Sequence, residues 1–137
     1  MNTNILINMP NKKIELIYPE LSYQIVGAAF KVFNELGYGM SEKYYQRAFA
    51  KALEAENIPF KQEYLVHLHY DGQPIGRCFL DFVVADKIVV ETKVRQKLGY
   101  THIKQVMNYL KATRFKLAIL IYFTSDGVKY RRVLNTA

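Results

Sequence analysis

The stretch KLAILIYFT at residues 116–124 is the segment that most restricts how this chain folds. Between Lys116 and Thr124 every side chain is apolar or aromatic, without any alternation of polar and apolar residues. A strand with one solvent-facing side alternates, so an unbroken apolar run of strand length is typical of a central strand covered on both faces. The sequence therefore predicts a sheet on which helices pack.

The remaining segments supply those helices and the other strands. Apolar side chains recur at helical spacing in three segments, residues 19–37, 41–57 and 99–113. Strand-like patterns occupy four more, residues 61–72, 75–86, 87–95 and 127–135, in addition to the central run. The predicted order is α-α-β-β-β-α-β-β, a mixed α/β (α+β) fold, with Ser41 as a candidate N-cap and Asp71-Gly72 as a hairpin turn.

Composition favours a single intracellular domain. The 137 residues contain no repeat or long linker, so we expect one domain, with residues 1–17 as a loosely ordered N-terminal arm. The single cysteine, Cys78, excludes an internal disulfide and fits a reducing cytoplasm. No apolar run approaches the roughly 20 residues of a membrane span, and the N-terminus lacks a signal-peptide pattern. We therefore expect a cytoplasmic protein that does not enter a membrane.

Positive charge is concentrated towards the C-terminus. The formal net charge is +7, and residues 92–137 contain ten Lys or Arg but one acid, Asp126. Such a distribution is typical of proteins that bind a polyanion, nucleic acid above all. A solvated basic surface without a partner explains the charge equally well.

The segment LDFVVADKIVVETKV at residues 80–94 places Asp81, Glu91 and Lys93 in otherwise apolar strands. If residues 85–87 form the turn, Asp81 and Glu91 lie directly opposite one another, with their Cβ atoms within roughly 5 Å. Glu91 and Lys93, two residues apart, then share one face of the strand. Two carboxylates at that distance repel each other unless a proton or a cation lies between them.

A hard divalent cation is one resolution of this repulsion. Mg²⁺ prefers oxygen ligands and binds one or two carboxylates together with substrate phosphate oxygens. Asp81, Glu91 and the backbone carbonyl of Thr92 are the candidate ligands, and Lys93 is placed to hold the attacking water or to stabilise charge on a phosphate. The alternative is a purely structural salt-bridge network formed by the same acids and Lys93.

Two helices carry further candidates. Glu42 falls on the same inward-facing stripe as Tyr45, where a carboxylate is unusual, although the helix dipole also favours an acid in a first turn. His102, Gln105 and Tyr109 follow one another on a second stripe of the third helix. These three side chains are placed to contact a phosphate, a base or Lys93. The alternative is that they form a solvated face of the helix, which has the same spacing.

The motifs resemble those of a known superfamily. Asp81 followed by Glu91-Thr-Lys93 on the next strand resembles the bipartite signature of the PD-(D/E)XK nucleases. The segment at residues 39–45, GMSEKYY, is similar to the signature of the GxxExxY protein family within that superfamily. The segment at residues 105–109, QVMNY, resembles the Q-x-x-x-Y element of recombination-type exonucleases.

The resemblance implies a restriction-endonuclease-like α-β-β-β-α-β core with an extra N-terminal helix. It also implies a nuclease that depends on Mg²⁺ or Mn²⁺ and hydrolyses phosphodiester bonds in nucleic acid, DNA in the first instance. Asp81 and Glu91 become metal ligands, Lys93 the catalytic lysine, and Glu42 and Gln105 further active-site residues. The residues implied as nucleic-acid contacts or support are Tyr45, Lys97, His102, Lys104 and Tyr109.

Two other functions remain open at this point. One is a non-catalytic nucleic-acid-binding or scaffold module that retains the nuclease fold. The other is a domain whose basic face recruits an acidic protein surface, with the carboxylates merely salt-bridged. A homodimer is one arrangement compatible with nuclease activity, because two sites would cut both strands of a duplex more easily.

Overall fold

The computed structural model of the protein describes residues 17–97 and 99–136. Residues 1–16 of the predicted N-terminal arm lie outside these ranges. Helices and strands follow in the order α1 (Pro19–Leu36), α2 (Glu42–Ala55), β1 (Phe60–Tyr70), β2 (Gln73–Val84), β3 (Ile88–Val94), α3 (Tyr100–Lys111), β4 (Leu117–Thr124) and β5 (Gly127–Leu134). This is the predicted order. Each predicted helix extends one or two residues beyond its observed C-terminal end. None of the helices in this described part is long and apolar enough to cross a membrane.

The five strands form one mixed sheet with the spatial order β1-β2-β3-β4-β5. β3 and β4 run parallel, and α3 connects them, whereas the other neighbouring pairs are antiparallel. Every residue of β4 is buried. The prediction that this strand is covered on both faces is confirmed.

Two hydrophobic cores cover the two faces of the sheet. On one face, α1 and α2 pack over side chains that include Phe82, Val90 and Ile121. On the other face, α3 packs over side chains that include Val83 and Leu120. Burial of one such side chain contributes roughly 1.5–3 kcal/mol, so packing from both sides holds the sheet in place.

The turn between β2 and β3 fixes the register of the hairpin that carries the candidate residues. Ala85 and Asp86 have left-handed φ values of 52° and 56°, and β2 then pairs with β3 from Val84 opposite Ile88 onwards. This is the turn that the sequence predicts. The Asp71-Gly72 turn between β1 and β2 is likewise confirmed, with φ values of 50° and 75°.

The start of α2 differs in one detail from its prediction. Ser41 occupies the N-cap position, but its side chain makes no capping hydrogen bond. Its backbone carbonyl instead accepts hydrogen bonds from the N–H groups of Tyr44 and Tyr45, at 3.1 and 3.3 Å. The helix start is therefore held by backbone contacts and by the packing of Tyr45.

Candidate active site

The candidate site lies where the pairing of β2 and β3 ends. The last residue pair of this ladder is Phe82 opposite Val90, so the next pair in register is Asp81 and Glu91. At that point backbone pairing gives way to side-chain contacts: the N–H of Asp81 donates to Glu91 Oε2 at 2.7 Å. The N–H of Thr92 donates in turn to Asp81 Oδ2 at 2.9 Å. The structure thus brings together the two carboxyl groups that the sequence placed opposite each other.

On the side that faces β1, Asp81 lies at an irregularity in the strand pairing. β1 and β2 pair at Gln62–Phe82 and at Tyr64–Leu80, but Glu63 and Asp81 between them do not pair, and Glu63 has a φ of 50°. Leu80 and Phe82 consequently pack into opposite cores although they lie two residues apart. Strand irregularities of this kind frequently re-aim a side chain beside an active site. Here the irregularity frees the backbone of Asp81 to meet the carboxylate of Glu91.

Burial and charge act strongly on Glu91. Its exposed fraction is 8%, and burial, followed by the charge of Asp81, raises its pKa from 4.5 to about 8. The hydrogen bond from the Asp81 backbone and the charge of Lys93 act in the opposite direction and are weaker. In the metal-free protein the carboxyl pair therefore retains a proton at neutral pH.

The donor set fits a hard divalent cation. Hydrogen bonds occupy one oxygen of each carboxyl group, Asp81 Oδ2 and Glu91 Oε2. The two carboxyl groups also hydrogen-bond each other, side chain to side chain, which adds to the rise in the pKa of Glu91. Two carboxyl groups in contact present the oxygen ligands that Mg²⁺ and Mn²⁺ prefer, once the proton that the pair retains is lost. The metal-binding role of Asp81, Glu91 and the Thr92 carbonyl stays a prediction.

Lys93 is not part of a salt-bridge network among the described residues. It is half-buried on β3, and the ion pairs within residues 17–97 and 99–136 include neither Lys93 nor the two carboxylates. The purely structural alternative requires such ion pairs. An ammonium group that forms no ion pair with the described part of the chain, two residues from Glu91, remains available to a substrate.

Glu42 is not brought to the carboxyl pair. It is half-buried in the first turn of α2 and makes no hydrogen bond or ion pair with any described residue. No group of three His, Cys, Asp or Glu side chains that can hold a metal ion occurs in the described segments. The role of Glu42 as an accessory acid stays a prediction.

The candidates on and beside α3 differ in their burial and in their hydrogen-bond partners. His102 is half-buried, and its Nδ1 lies 2.5 Å from the hydroxyl oxygen of Tyr122. Gln105 donates from Nε2 to the Tyr109 hydroxyl at 3.1 Å, so these two side chains bond each other on an exposed part of the helix. Lys104 is exposed, with its Nζ 5.1 Å from the centroid of the Tyr100 ring, and Lys97 is also exposed.

Comparison with known proteins decides the family. Residues 19–133 match the sequence profile of the PD-(D/E)XK nuclease superfamily. The chain belongs to this superfamily. No curated protein sequence matches it significantly.

Two solved structures are similar to this PD-(D/E)XK chain. The crystal structure of SSO0001 has 14% sequence identity, a TM-score of 0.51, and coverage of 86% of this chain and 79% of the other. An alkaline exonuclease, LHK-Exo from Laribacter hongkongensis, has 12% identity, a TM-score of 0.47, and coverage of 83% and 82%. The likeness to SSO0001, together with the family match, confirms the predicted fold: α2-β1-β2-β3-α3-β4 forms the core, and α1 is the extra N-terminal helix.

Sequence reasoning missed a glutamine that fixes the PD-(D/E)XK hairpin to α2. Gln46 Nε2 donates to Thr92 Oγ1 at 3.0 Å, and this hydroxyl lies 3.4 Å from Asp81 Oδ2. Gln46 follows Glu42 by one helical turn on the same inward-facing stripe, which is the signal that identifies it. Through this contact α2 positions Thr92, the residue between Glu91 and Lys93.

A second missed glutamine holds the segment that follows Lys93. Gln96 Nε2 donates to the Tyr38 hydroxyl at 2.9 Å. Its Oε1 accepts hydrogen bonds from the hydroxyl and the N–H of Ser125, at 2.8 and 3.2 Å. One amide thus joins three loops at the edge of the candidate site.

Tyr45 has a structural role. Its side chain is fully buried, its ring stacks on Phe123 at a centroid distance of 4.2 Å, and its hydroxyl donates to the Gly37 carbonyl at 2.5 Å. The tyrosine of the G-x-x-E-x-x-Y segment therefore packs beneath the loop before α2, with its hydroxyl directed to the backbone.

We expect Tyr45→Phe to destabilise the fold without affecting chemistry. Loss of the hydroxyl leaves the Gly37 carbonyl without its donor, which costs about 1–2 kcal/mol. Urea unfolding measures this loss, and any nucleic-acid cleavage should proceed at the wild-type rate below the unfolding transition. Wild-type stability combined with lost cleavage would instead assign Tyr45 to the reaction.

Proposed function

We propose that this protein is a Mg²⁺- or Mn²⁺-dependent nuclease that hydrolyses phosphodiester bonds in nucleic acid, with DNA as its substrate. The observation that carries the proposal is the hydrogen-bonded pair of Asp81 and Glu91 at the end of the β2–β3 ladder, followed on β3 by Lys93, which forms no ion pair with any residue that the structure describes. The superfamily supports the reaction class.

Each residue has a distinct role in the proposed reaction. Asp81 and Glu91, with the Thr92 carbonyl, would hold the cation, which supplies Lewis-acid stabilisation of charge on the phosphate and activation of water. Lys93 orients the attacking water by hydrogen bonding, and its positive charge stabilises the negative charge that grows on the phosphate oxygens. Gln46 keeps Thr92 in place by its hydrogen bond.

The distribution of charge supports a nucleic-acid substrate. Ten Lys or Arg lie within residues 92–137, and Lys97, Lys104 and Lys111 among them are exposed on or beside α3. Neutralisation of backbone phosphates by such side chains drives sequence-independent binding. We further propose that the chain is a member of the GxxExxY family, since Gly39, Glu42 and Tyr45 occur where α2 begins, and that it acts in the cytoplasm.

Metal binding and cleavage by the same samples test this proposal. Isothermal calorimetry of Mn²⁺ with the wild type and Asp81→Asn should show binding that is at least about tenfold weaker in the variant. Asparagine retains an oxygen that can accept the Thr92 N–H, so the fold is expected to persist. Asp71→Asn is the matched control, because it makes the same change at an exposed turn of the adjoining hairpin.

Cleavage of plasmid and single-stranded DNA completes the experiment. Cleavage by the wild type and Asp71→Asn, but not by Asp81→Asn, is the expected result. Binding of DNA without metal binding or cleavage would favour the non-catalytic module. Absence of all three in folded protein would make the carboxyl pair structural.

A further inference from the structure

A histidine and a tyrosine from different elements meet on the sheet face that carries Glu91 and Lys93. His102 lies in the first turn of α3, and Tyr122 is a fully buried residue of β4. Their rings are tilted at 46° with centroids 5.7 Å apart, and His102 Nδ1 is 2.5 Å from the Tyr122 hydroxyl oxygen. Neither side chain has a role in the reaction proposed for Asp81, Glu91 and Lys93.

The register of the sheet places this pair beside the catalytic lysine. Tyr122 is the parallel partner of Lys93, and the preceding in-face pair is Leu120 with Glu91. Register partners on adjacent strands share a face of the sheet. The charges of Lys93, Arg95 and Asp81 all act on the imidazole of His102, which locates the ring close to the candidate site.

Hydrogen bonding at Tyr122 indicates which nitrogen of His102 carries the proton. The backbone of Gly99 hydrogen-bonds to the Tyr122 phenol oxygen as a donor. The phenol proton then has His102 Nδ1 as its acceptor, and a buried hydroxyl without an acceptor is costly. When Nδ1 accepts this bond, a neutral imidazole carries its proton on Nε2.

The surroundings also favour the neutral ring. Burial, and then the positive charges of Lys93 and Arg95, lower the pKa of His102, while the charge of Asp81 raises it to a smaller extent. The groups nearby already supply positive charge for binding an anion. A neutral N–H donor adds direction to that binding without repelling Lys93.

We propose that His102 binds substrate by donating a hydrogen bond from Nε2 to a non-bridging oxygen of the backbone phosphate beside Lys93, and that Tyr122 is the residue that positions it. This inference rests on the proposed nuclease function and assigns to it a phosphate-binding residue. Tyr122 acts only through His102, because it is fully buried.

Nuclear magnetic resonance tests the tautomer without any substrate. In ¹⁵N-labelled, metal-free protein at pH 7, the His102 imidazole should show a protonated Nε2 and an unprotonated Nδ1. The exposed His67 serves as an internal reference, and His102→Gln assigns the signals. In Tyr122→Phe the His102 signals should move towards those of His67. A protonated Nδ1, or an imidazolium, in the wild type would overturn the proposal.

Oligonucleotide binding tests the phosphate contact in a background that does not cleave. In Asp81→Asn protein, His102→Ala should weaken binding of a fluorescent 20-nucleotide DNA by about tenfold, the loss expected for one hydrogen bond to a charged group. His102→Gln should recover most of that affinity because its amide N–H₂ reaches the position of Nε2. His102→Asn, whose amide reaches only the position of Nδ1, should not. His67→Ala is the matched control.

A double variant separates positioning from general stability. Tyr122→Phe alone should weaken binding a few-fold, and it should add nothing in the His102→Ala background, because Tyr122 acts only through His102. Independent losses at the two positions would overturn the positioning role. Tight binding by His102→Ala, with wild-type cleavage intact, defeats this inference alone, whereas absence of both binding and cleavage in the wild type defeats the proposed function with it.

Discussion

Lys93→Ala is expected to reduce nucleic-acid cleavage by about 10²–10³-fold, the effect of removing one group that stabilises transition-state charge. The ammonium group forms no ion pair within the described segments, so it is not needed to hold Asp81 or Glu91 in place. Lys93 is nevertheless half-buried in β3, next to Thr92 and in register with Tyr122. Its charge is therefore kept near the carboxyl pair by the sheet itself.

Initial rates on a labelled oligonucleotide at saturating Mg²⁺, with thermal melts of the same samples, measure this effect. The melting temperature of Lys93→Ala should stay close to that of the wild type, because an unpaired lysine contributes little to stability. Lys87→Ala, at the exposed turn of the same hairpin, is the matched control and should cleave normally. A Lys93→Ala rate within a few-fold of wild type would exclude the lysine from the chemistry.

The parts of the site that the sequence predicts are those that depend on neighbours along the chain. A short turn at residues 85–87 sets the register of one hairpin, and this register places Asp81 opposite Glu91. The central position of β4 follows from the apolar run itself. Local periodicity and one turn thus account for the carboxyl pair, for the order of elements along the chain and for the buried position of β4.

The contacts that the sequence does not predict join elements far apart in the chain. Gln46 reaches Thr92 across 46 residues, and Gln96 reaches Ser125 across 29. Such bonds depend on how a helix is placed over the sheet, which packing decides and periodicity does not. Tyr122 lies within the apolar run of β4, where the pattern indicates only a core residue, so its hydroxyl gives no signal of the bond to His102.

The segment at residues 39–45 also shows why a motif does not define the function of every residue in it. Tyr45 belongs to the segment that resembles the GxxExxY signature, yet its hydroxyl is used by the Gly37 carbonyl and its ring by Phe123. Glu42, from the same segment, makes no hydrogen bond or ion pair with any described residue. A shared spacing along a helix places both side chains inward, and only the packed structure separates a core residue from one that remains available.

Glu91→Gln is expected to make the metal-free protein more stable at alkaline pH. The pKa of this carboxyl group is 4.5 in a free chain and about 8 in the fold, so the folded state binds the proton more tightly than the unfolded state. The contribution of Glu91 to the free energy of unfolding is therefore greatest below pH 4.5. It falls as the pH rises towards 8, because the unfolded chain gives up its proton first.

Urea unfolding in the presence of a chelator, between pH 5 and pH 9, measures the difference. The wild type should lose on the order of a few kcal/mol across this range. Glu91→Gln should lose much less, since its amide does not ionise and its oxygen can still accept the Asp81 N–H. Glu35→Gln, at an exposed position of α1, is the matched control and should follow the wild type. Parallel pH curves for wild type and Glu91→Gln would mean that Glu91 ionises normally in the fold.

The same proton links stability to metal binding. A cation between Asp81 and Glu91 requires both carboxylates to be ionised, so it must displace the proton that the pair retains at neutral pH. Mg²⁺ should therefore raise the melting temperature of the wild type more at pH 8 than at pH 6, and it should have little effect on Glu91→Gln at either pH. Repulsion between the two ionised carboxylates destabilises the metal-free protein, and a cation bound between them would relieve it. Cation binding is therefore a physical reason for two acids in the interior of this hairpin.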